Sequence, residues 1–412
     1  ILNGAYNRMT SVFYYGRDFI IFGEVRSDNT FSNANSNRFP TVGKMDMLPT
    51  DAYARDTWTQ IYAVVASANI LIQQDLTKIT GDETLKKHIV GQAYALRALA
   101  HFDLLKLYGQ QHVTGGNNLG IPYVVKYKAE NLYPSRNTVA EVKQFINDDL
   151  DKALTLLAPS LDTRKDFITT QAVNALKSRV AIYFKDWSVA KTACEAVINS
   201  NRFTIATSSG YAGTWIAKQP ANSIFELAYT PTDHQGINGL YQIYNATAYG
   251  DIEALANLQT IFDPGDVRNA TTMINTVSGK LRNVGKYRSA TFADNVFLIR
   301  YEEVILNYAE ALFRLNPADA NALTRLNSIT SNRGAVAYTV VNEDNILKER
   351  RRELCFEGFR FDDLARTGRG IPLVDAIRQT HGGPAYGDNK FAFPIPTNEI
   401  NANSNMVQNK GY

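Results

Sequence analysis

Cysteine is scarce in this chain: Cys194 and Cys355 are the two in 412 residues. Both fall in amphipathic patterns that read as helix, 190–198 and 346–356, which points to two buried thiols, while spacing alone leaves a bond between them open. Long apolar runs are missing as well. The longest, 61–72, is interrupted by Ser67 and Asn69 and is too short to cross a bilayer as a helix. Nor does either charge dominate. With 43 basic and 40 acidic residues the formal net charge is +3, which argues against a nucleic-acid partner, since neutralising phosphates needs a surplus of Lys and Arg. No signal peptide is visible. The chain opens at Ile1 inside a helical pattern (Leu2, Ala5, Tyr6, Met9), so a processed or trimmed N-terminus is the expectation.

Signatures of catalysis are absent too. The five histidines (His88, His101, His112, His234, His381) show no paired metal-ligand spacing, and no nucleophile elbow or dinucleotide loop occurs. The glycine run at 115–120 lacks the Lys-Ser/Thr that completes a phosphate loop and reads as a surface turn. Asp148, Asp149 and Asp151 mark a helix face, without the glycine and alternating ligands of a calcium loop. His101, on an Ala-rich helical stretch, reads as a packing residue. No catalytic residue, metal ligand or cofactor is therefore assigned, and the chain reads as a binding protein rather than an enzyme.

What the sequence does have is aromatic rings and helical period. There are 22 Tyr and 20 Phe against 3 Trp. Most such rings belong in a core, but Tyr also suits recognition of amphipathic ligands, with its flat apolar face and polar tip. The 3.6-residue period predicts helices over 58–74, 83–107, 139–157, 170–184, 188–200, 299–314, 317–332 and 342–356. Thr138 with Glu141 forms a capping-box pattern, Asp186 precedes one helix, and Asn316-Pro317 places Pro at the first turn of another. Ala181, Ala190 and Cys194 share their spacing with Ala309, Ala318 and Ala322. Small residues at those offsets let paired helices approach closely, as in tetratricopeptide (TPR) hairpins, though no regular repeat register is present. Between the helices lie long irregular stretches at 23–50, 203–251, 262–294 and 382–412, with a strand-like run at 223–229. Loops of that length on a rigid scaffold concentrate binding residues.

The segment from Glu349 to Arg366 (ERRRELCFEGFRFDDLAR) contains E-R-x-x-E-L-x-F-E-G, then an aromatic-flanked Arg and D-L-x-R. It resembles the C-terminal signature of SusD-like (RagB/SusD) proteins. Other motifs agree in order: the stretch from Ala93 to Gly109 followed by Ile121-Pro122-Tyr123, the Y-P-x-R-x-T-V pattern from Tyr133, R-V-A-x-Y from Arg179, R-Y-x-E-V-x-L-x-Y-A-E-A from Arg300, and F-P-I-P-x-x-E-I from Phe393 through the closing Gly411-Tyr412. The resemblance covers nearly the whole chain. It implies a mostly α fold in which TPR-like helical hairpins form a scaffold, with long irregular loops and a few short strands packed against it. The expected organisation is one SusD-like domain over 1–412, its TPR-like helices roughly at 53–200 and 299–356 and its loop-rich ligand-binding part at 203–298, joined by the 23–50 loop and the 382–412 tail. The resemblance also implies a surface-exposed outer-membrane lipoprotein that captures oligosaccharide or polysaccharide and delivers it to a SusC-like TonB-dependent transporter. Its only membrane contact would be an N-terminal lipid anchor, whose cysteine is not in this sequence.

The signature itself reads as structure. Arg350, Arg351, Glu353 and Glu357 lie at helical spacing where Arg and Glu can pair, Arg forks can tie the helix end to Asp362-Asp363, and Gly358 sits where the helix should stop. A catalytic Glu357–Asp362 pair is the weak rival. Ligand residues must then come from the loops. A sugar site needs aromatic platforms beside amides, carboxylates or Arg. The stretch 234–251 offers His234, Asn238, Tyr241, Tyr244 and Tyr249 with Gln235 and Asn245; Trp215 lies upstream, and Asn29, Phe31 and Arg38, beside Asp28, supply a facing wall. A scaffold of the same fold that binds peptide or protein is the alternative function.

Overall fold

The computed structural model describes residues 1–128, 132–245 and 249–412. Its centre is the Glu83–Tyr108 helix, buried along most of its length because Ala93, Ala95, Ala98 and Ala100 let neighbours close in on several sides. The Ala52–Ile72 helix packs on one side and the Val139–Leu156 helix on another. Within it His101 is fully buried. Its Nδ1 donates to the Arg97 carbonyl at 2.9 Å, its Nε2 accepts from the Val124 N–H at 3.0 Å, and its ring stacks 3.8 Å from Tyr123. Burial pushes its pKa down to about 3, so the ring is a neutral packing residue.

Two helical hairpins follow, Thr170–Tyr183 with Trp187–Asn199 and Tyr301–Leu315 with Ala320–Ser331. The small residues Ala181, Ala190 and Ala311 meet at their shared seam beside Trp187. Ala318 is the exception: it is exposed in the turn. Three local expectations need correction. The helix expected from Pro317 begins at Ala320, because the Asp319 carboxylate caps it through the Asn321 N–H at 2.8 Å. Asp186 makes no capping bond and pairs with Lys143 at 2.7 Å instead. The helix expected from 58 starts earlier, at Ala52, capped by Asp51. The Thr138–Glu141 capping box forms as expected. Cys194 and Cys355 are free and buried, Cys355 lying just past the Glu343–Leu354 helix.

Strands are few and short. Ser223–Leu227 pairs antiparallel with the wholly buried Val296–Arg300, and Thr30–Ser32 pairs with Ile252–Ala254. Ile274–Val277 and Lys280–Asn283 form a hairpin whose Ser278-Gly279 turn has φ of +51° and +76°, the left-handed backbone a two-residue turn requires.

The signature is a buried ionic lattice, though not within one helix as its spacing suggests. Glu353 accepts from Arg268, Arg300 and Arg333 at 3.1, 2.9 and 2.9 Å. Glu357 takes Arg300 and Lys286 at 2.8 and 2.7 Å, Arg350 reaches Asp363 at 2.9 Å, and Arg351 reaches Asp28 at 3.1 Å. Most of these pairs join segments far apart in sequence, while Arg350–Asp363 ties the helix to the turn beyond it, as the motif suggests. Glu357 and Asp362 are each engaged by cations, Asp362 by Lys106 at 3.1 Å. Beyond the helix Gly358 has φ +87°. Its carbonyl passes so close to the Asp18–Val25 helix that a Cβ on Gly23 would lie 2.0 Å from it.

Candidate functional site

The short strand pair carries the first loop onto the middle of the chain, with Phe31 opposite Glu253 and Ser32 opposite Ile252. Side chains then knit the two loops beyond it. Asn33 donates to the Gly250 carbonyl at 3.0 Å, Asn35 to the Tyr249 carbonyl at 2.7 Å, and the Ser36 N–H to Asp251 at 2.7 Å. From below, Arg282 of the Lys280–Asn283 strand donates to the carbonyls of Tyr244, Gly250 and Ile252 at 3.1, 3.0 and 3.3 Å. The backbone around Tyr249 is thus held from two sides.

On this base sits a cluster of nominated residues. The Arg38 guanidinium lies 3.9 Å from the Tyr249 ring centroid, and its Nη2 donates to Asn238 Oδ1 at 3.0 Å. Its Nη1 donates to Ser36 Oγ. Arg38 and Tyr249 are both half-buried. A guanidinium has five N–H groups in a plane, so Nε–H and one hydrogen on each Nη have no partner among the described residues. The result is a flat cation on an aromatic ring, framed by an amide and hydroxyls. Such a surface offers donors to hydroxyl-bearing ligands and a flat face to their C–H groups. Phe31 extends it, half-buried, with the Arg378 guanidinium 5.6 Å from its ring.

A cleft opens beside this cluster. The turn at 235–241 separates the two: its Asn238 carries Arg38, while Gln235, Gly239 and Tyr241 line the cleft with Phe292 and Asp294 opposite. Tyr241 and Phe292 meet edge to face at 5.7 Å across the mouth, and His234 lies 5.4 Å from Phe292. His234 Nδ1 accepts from the Gly236 N–H at 2.9 Å, which leaves the proton on Nε2. Leu240, Val296 and Tyr287 line the deeper wall. Lys218 anchors the far end of the Phe292 loop through Asn295 Oδ1 at 2.6 Å. Burial raises the Asp294 carboxyl above the usual range.

Of the nine nominated residues, Arg38, Asn238 and Tyr249 meet in one cluster, His234 and Tyr241 meet Phe292 at the neighbouring cleft, and Phe31 stands on the strand pair that leads into the cluster. Asn29, Trp215 and Tyr244 reach neither. Asn29 is fully buried, donating to Glu24 at 3.1 Å and accepting from Arg351 at 2.8 Å. Asp28 beside it pairs with Arg360 at 2.7 Å. Trp215 packs in the core between the Lys286 and Arg300 cations, 4.6 and 5.1 Å from its ring. Tyr244 is 1% exposed and stacks on Tyr287 with its hydroxyl 3.2 Å from the Phe356 carbonyl. These three hold the scaffold and leave the candidate set. Residues 246–248 of the nominated stretch lie outside the described residues. Tyr287, Phe292 and Asp294 escaped nomination because their loop reads as mixed basic and polar, with no local sign that two of its rings converge. Among the described residues no group of three or more His, Cys, Asp or Glu is placed to hold a metal ion.

A profile described as "SusD family" matches residues 201–412, and one described as "Starch-binding associating with outer membrane" matches residues 2–182. A SusD-like protein of Formosa agariphila is 24% identical over 491 aligned positions, covering 100% of this chain and 90% of that one. The starch-binding protein SusD of Bacteroides thetaiotaomicron is 33% identical over 130 positions, covering 30% of this chain and 23% of its own. Among solved structures, a putative sugar binding protein from Bacteroides vulgatus superposes with TM-score 0.90 at 27% identity, covering 100% of this chain and 97% of its own.

Proposed function

The chain belongs to the SusD family, and from that premise we propose that it captures an oligosaccharide through the face built on Arg38, Asn238 and Tyr249. The observation that carries this is the half-buried guanidinium–tyrosine stack with its unspent N–H donors, beside half-buried Phe31 and Tyr241. Support comes from the starch-binding description of the profile over 2–182 and from the sugar-binding name of a close structural neighbour. The protein works at the outer membrane, tethered by a lipid, and hands its glycan to a SusC-like TonB-dependent transporter without making or breaking a bond. No helix among the described residues is long and apolar enough to cross a membrane, and a lipid tether requires none.

Titration calorimetry against a panel of neutral and acidic oligosaccharides tests the reading. At least one glycan binds the wild type, and Arg38→Ala and Tyr249→Ala each weaken it about tenfold, roughly 1.4 kcal/mol, with unchanged thermal melts. A panel with no bound glycan, or binding indifferent to both changes, overturns the assignment. Tyr244→Ala is unsuited to this test because it opens a hole in the core.

A further inference from the structure

A second cleft, of about 350 Å³, opens between the Ala52–Ile72 helix and the Thr397–Ala402 helix. It shares no lining residue with the Arg38 face or with the cleft beside that face. Its volume is in the range of small-molecule sites. Three rings line it: Trp58, half-buried Tyr62 and exposed Tyr133. Trp58 and Tyr62 meet at 4.9 Å, and the Tyr62 hydroxyl donates to the Pro122 carbonyl at 2.7 Å. The wall that carries Tyr133 is clamped from the end of the chain. Asn405 Nδ2 donates to the Tyr133 carbonyl and Asn403 Nδ2 to the Pro134 carbonyl, both at 2.8 Å. The walls are therefore tied to one another.

Among these mostly apolar walls stands one carboxylate, half-buried Glu399. Burial raises its carboxyl above the usual range, and the Trp58 indole N–H is the one influence opposing that. Of the charges around Tyr62, Glu399 acts on its phenol most strongly, so the carboxylate stands beside two of the three rings. No Lys or Arg pairs with it among the described residues. A desolvated carboxylate without a counter-charge sits at a cost that a bound cation removes. We infer that this cleft binds an amino sugar unit through its free ammonium group, which pairs with Glu399 while the sugar's C–H face lies against Tyr62 and Tyr133. The ammonium supplies the missing counter-charge and is drawn to aromatic rings as well. Pro122, Val124, Pro134 and Met406 give the ring carbons an apolar surface. An N-acetylated or neutral sugar brings no charge. A lysine side chain brings the charge on a thin stem and fills only part of the width. The site stands independently of the Arg38 assignment.

Calorimetry at low ionic strength on the full chain tests this with glucosamine oligomers, their N-acetylated counterparts and glucose oligomers of equal length. The free-amine oligomers are expected to bind, the other two at least about tenfold more weakly, and added salt weakens the free-amine ligand most. Glu399→Gln, which keeps an oxygen for the Trp58 N–H, abolishes the preference. It leaves the melting temperature unchanged or raised, because it removes a desolvated charge, whereas loss of a purely structural carboxylate would lower it. Tyr133→Ala, at an exposed ring, is the second variant and weakens free-amine binding about fivefold. No binding of free-amine oligomers, equal binding of the uncharged ones, or a preference intact in both variants overturns the site. A lysine amide that binds as tightly as the amino sugar overturns the sugar class and makes a polypeptide side chain the occupant.

Discussion

Glu353 shows how much one side chain can hold. Its carboxylate is completely buried and accepts from three guanidinium groups that reach it from Arg268, Arg300 and Arg333. Burial alone would raise its pKa, but Arg333 and Arg300 more than offset that and hold it well below the usual range. Glu353→Gln leaves buried positive charge uncompensated, and chemical denaturation should show a loss of about 3–5 kcal/mol. The two thiols make a contrasting case. Burial pushes Cys194 and Cys355 up to about 12, so neither should react with iodoacetamide in the native protein and both should react in denaturant. At this scale the sequence was a mixed guide. Arg38, Asn238 and Tyr249 could be named because a loop rich in Tyr and Asn is a sound place to look. Trp215 and Tyr244 come from the same stretch and have the same residue chemistry, yet they face inward. What decides between the two fates is a backbone path of a few residues, and the side-chain types do not encode it.

At the scale of elements, the sequence spoke most clearly where period and cap chemistry act together, as in the Val139–Leu156 helix with its capping box. It spoke least clearly where two segments cross. Gly23 lies within the Asp18–Val25 helix, a place where Gly is ordinarily a weakness, and the reason for it is the Gly358 carbonyl, which approaches to the space a Cβ would fill. Gly4, in the Leu2–Met9 helix, has no such neighbour. Thermal melts should therefore separate two identical substitutions: Gly4→Ala neutral or stabilising by up to about 1 kcal/mol, and Gly23→Ala destabilising by several times that, because backbone must move. The Ile274–Asn283 hairpin matters through Arg282, whose guanidinium braces the carbonyls of Tyr244, Gly250 and Ile252. Arg282→Ala should weaken glycan binding without touching a ligand, and Arg282→Lys should recover part of it, since all three carbonyls meet the one Nη1 and an ammonium also presents three donors from one nitrogen.

For the molecule as a whole, the buried histidines titrate against stability on acidification, while buried Asp18 and Glu24, pushed up to about 6 and about 7, titrate the other way. Burial lowers His101 to about 3 and His112 and His381 to about 4. A histidine whose folded pKa lies below its unfolded value costs stability once pH falls under that unfolded value of about 6.5, and the cost grows until the folded pKa is reached. The depressed carboxylates Glu353, Glu357 and Asp363 act in the same sense at lower pH: their contribution is present above the unfolded carboxylate pKa and is lost as pH falls through the folded one. Denaturant melts should thus show each of these histidines removing up to roughly 1.4 kcal/mol per pH unit below about pH 6.5, a slope that Glu24 and Asp18 oppose as they take up protons. His101→Phe, which cannot charge, should flatten the upper part of that slope while being less stable at pH 7, having left the Val124 N–H unpaired. The pairing of Thr30–Ser32 with Ile252–Ala254, and of Asp28 with Arg351 and Arg360, has a different kind of consequence. The proposed ligand face joins chain segments made at the start, the middle and the end of synthesis, and loop closure over such separations is slow. A nascent or C-terminally truncated chain should complete its early helices and still have no grip on sugar, so competence to bind arrives last, with the final hundred or so residues.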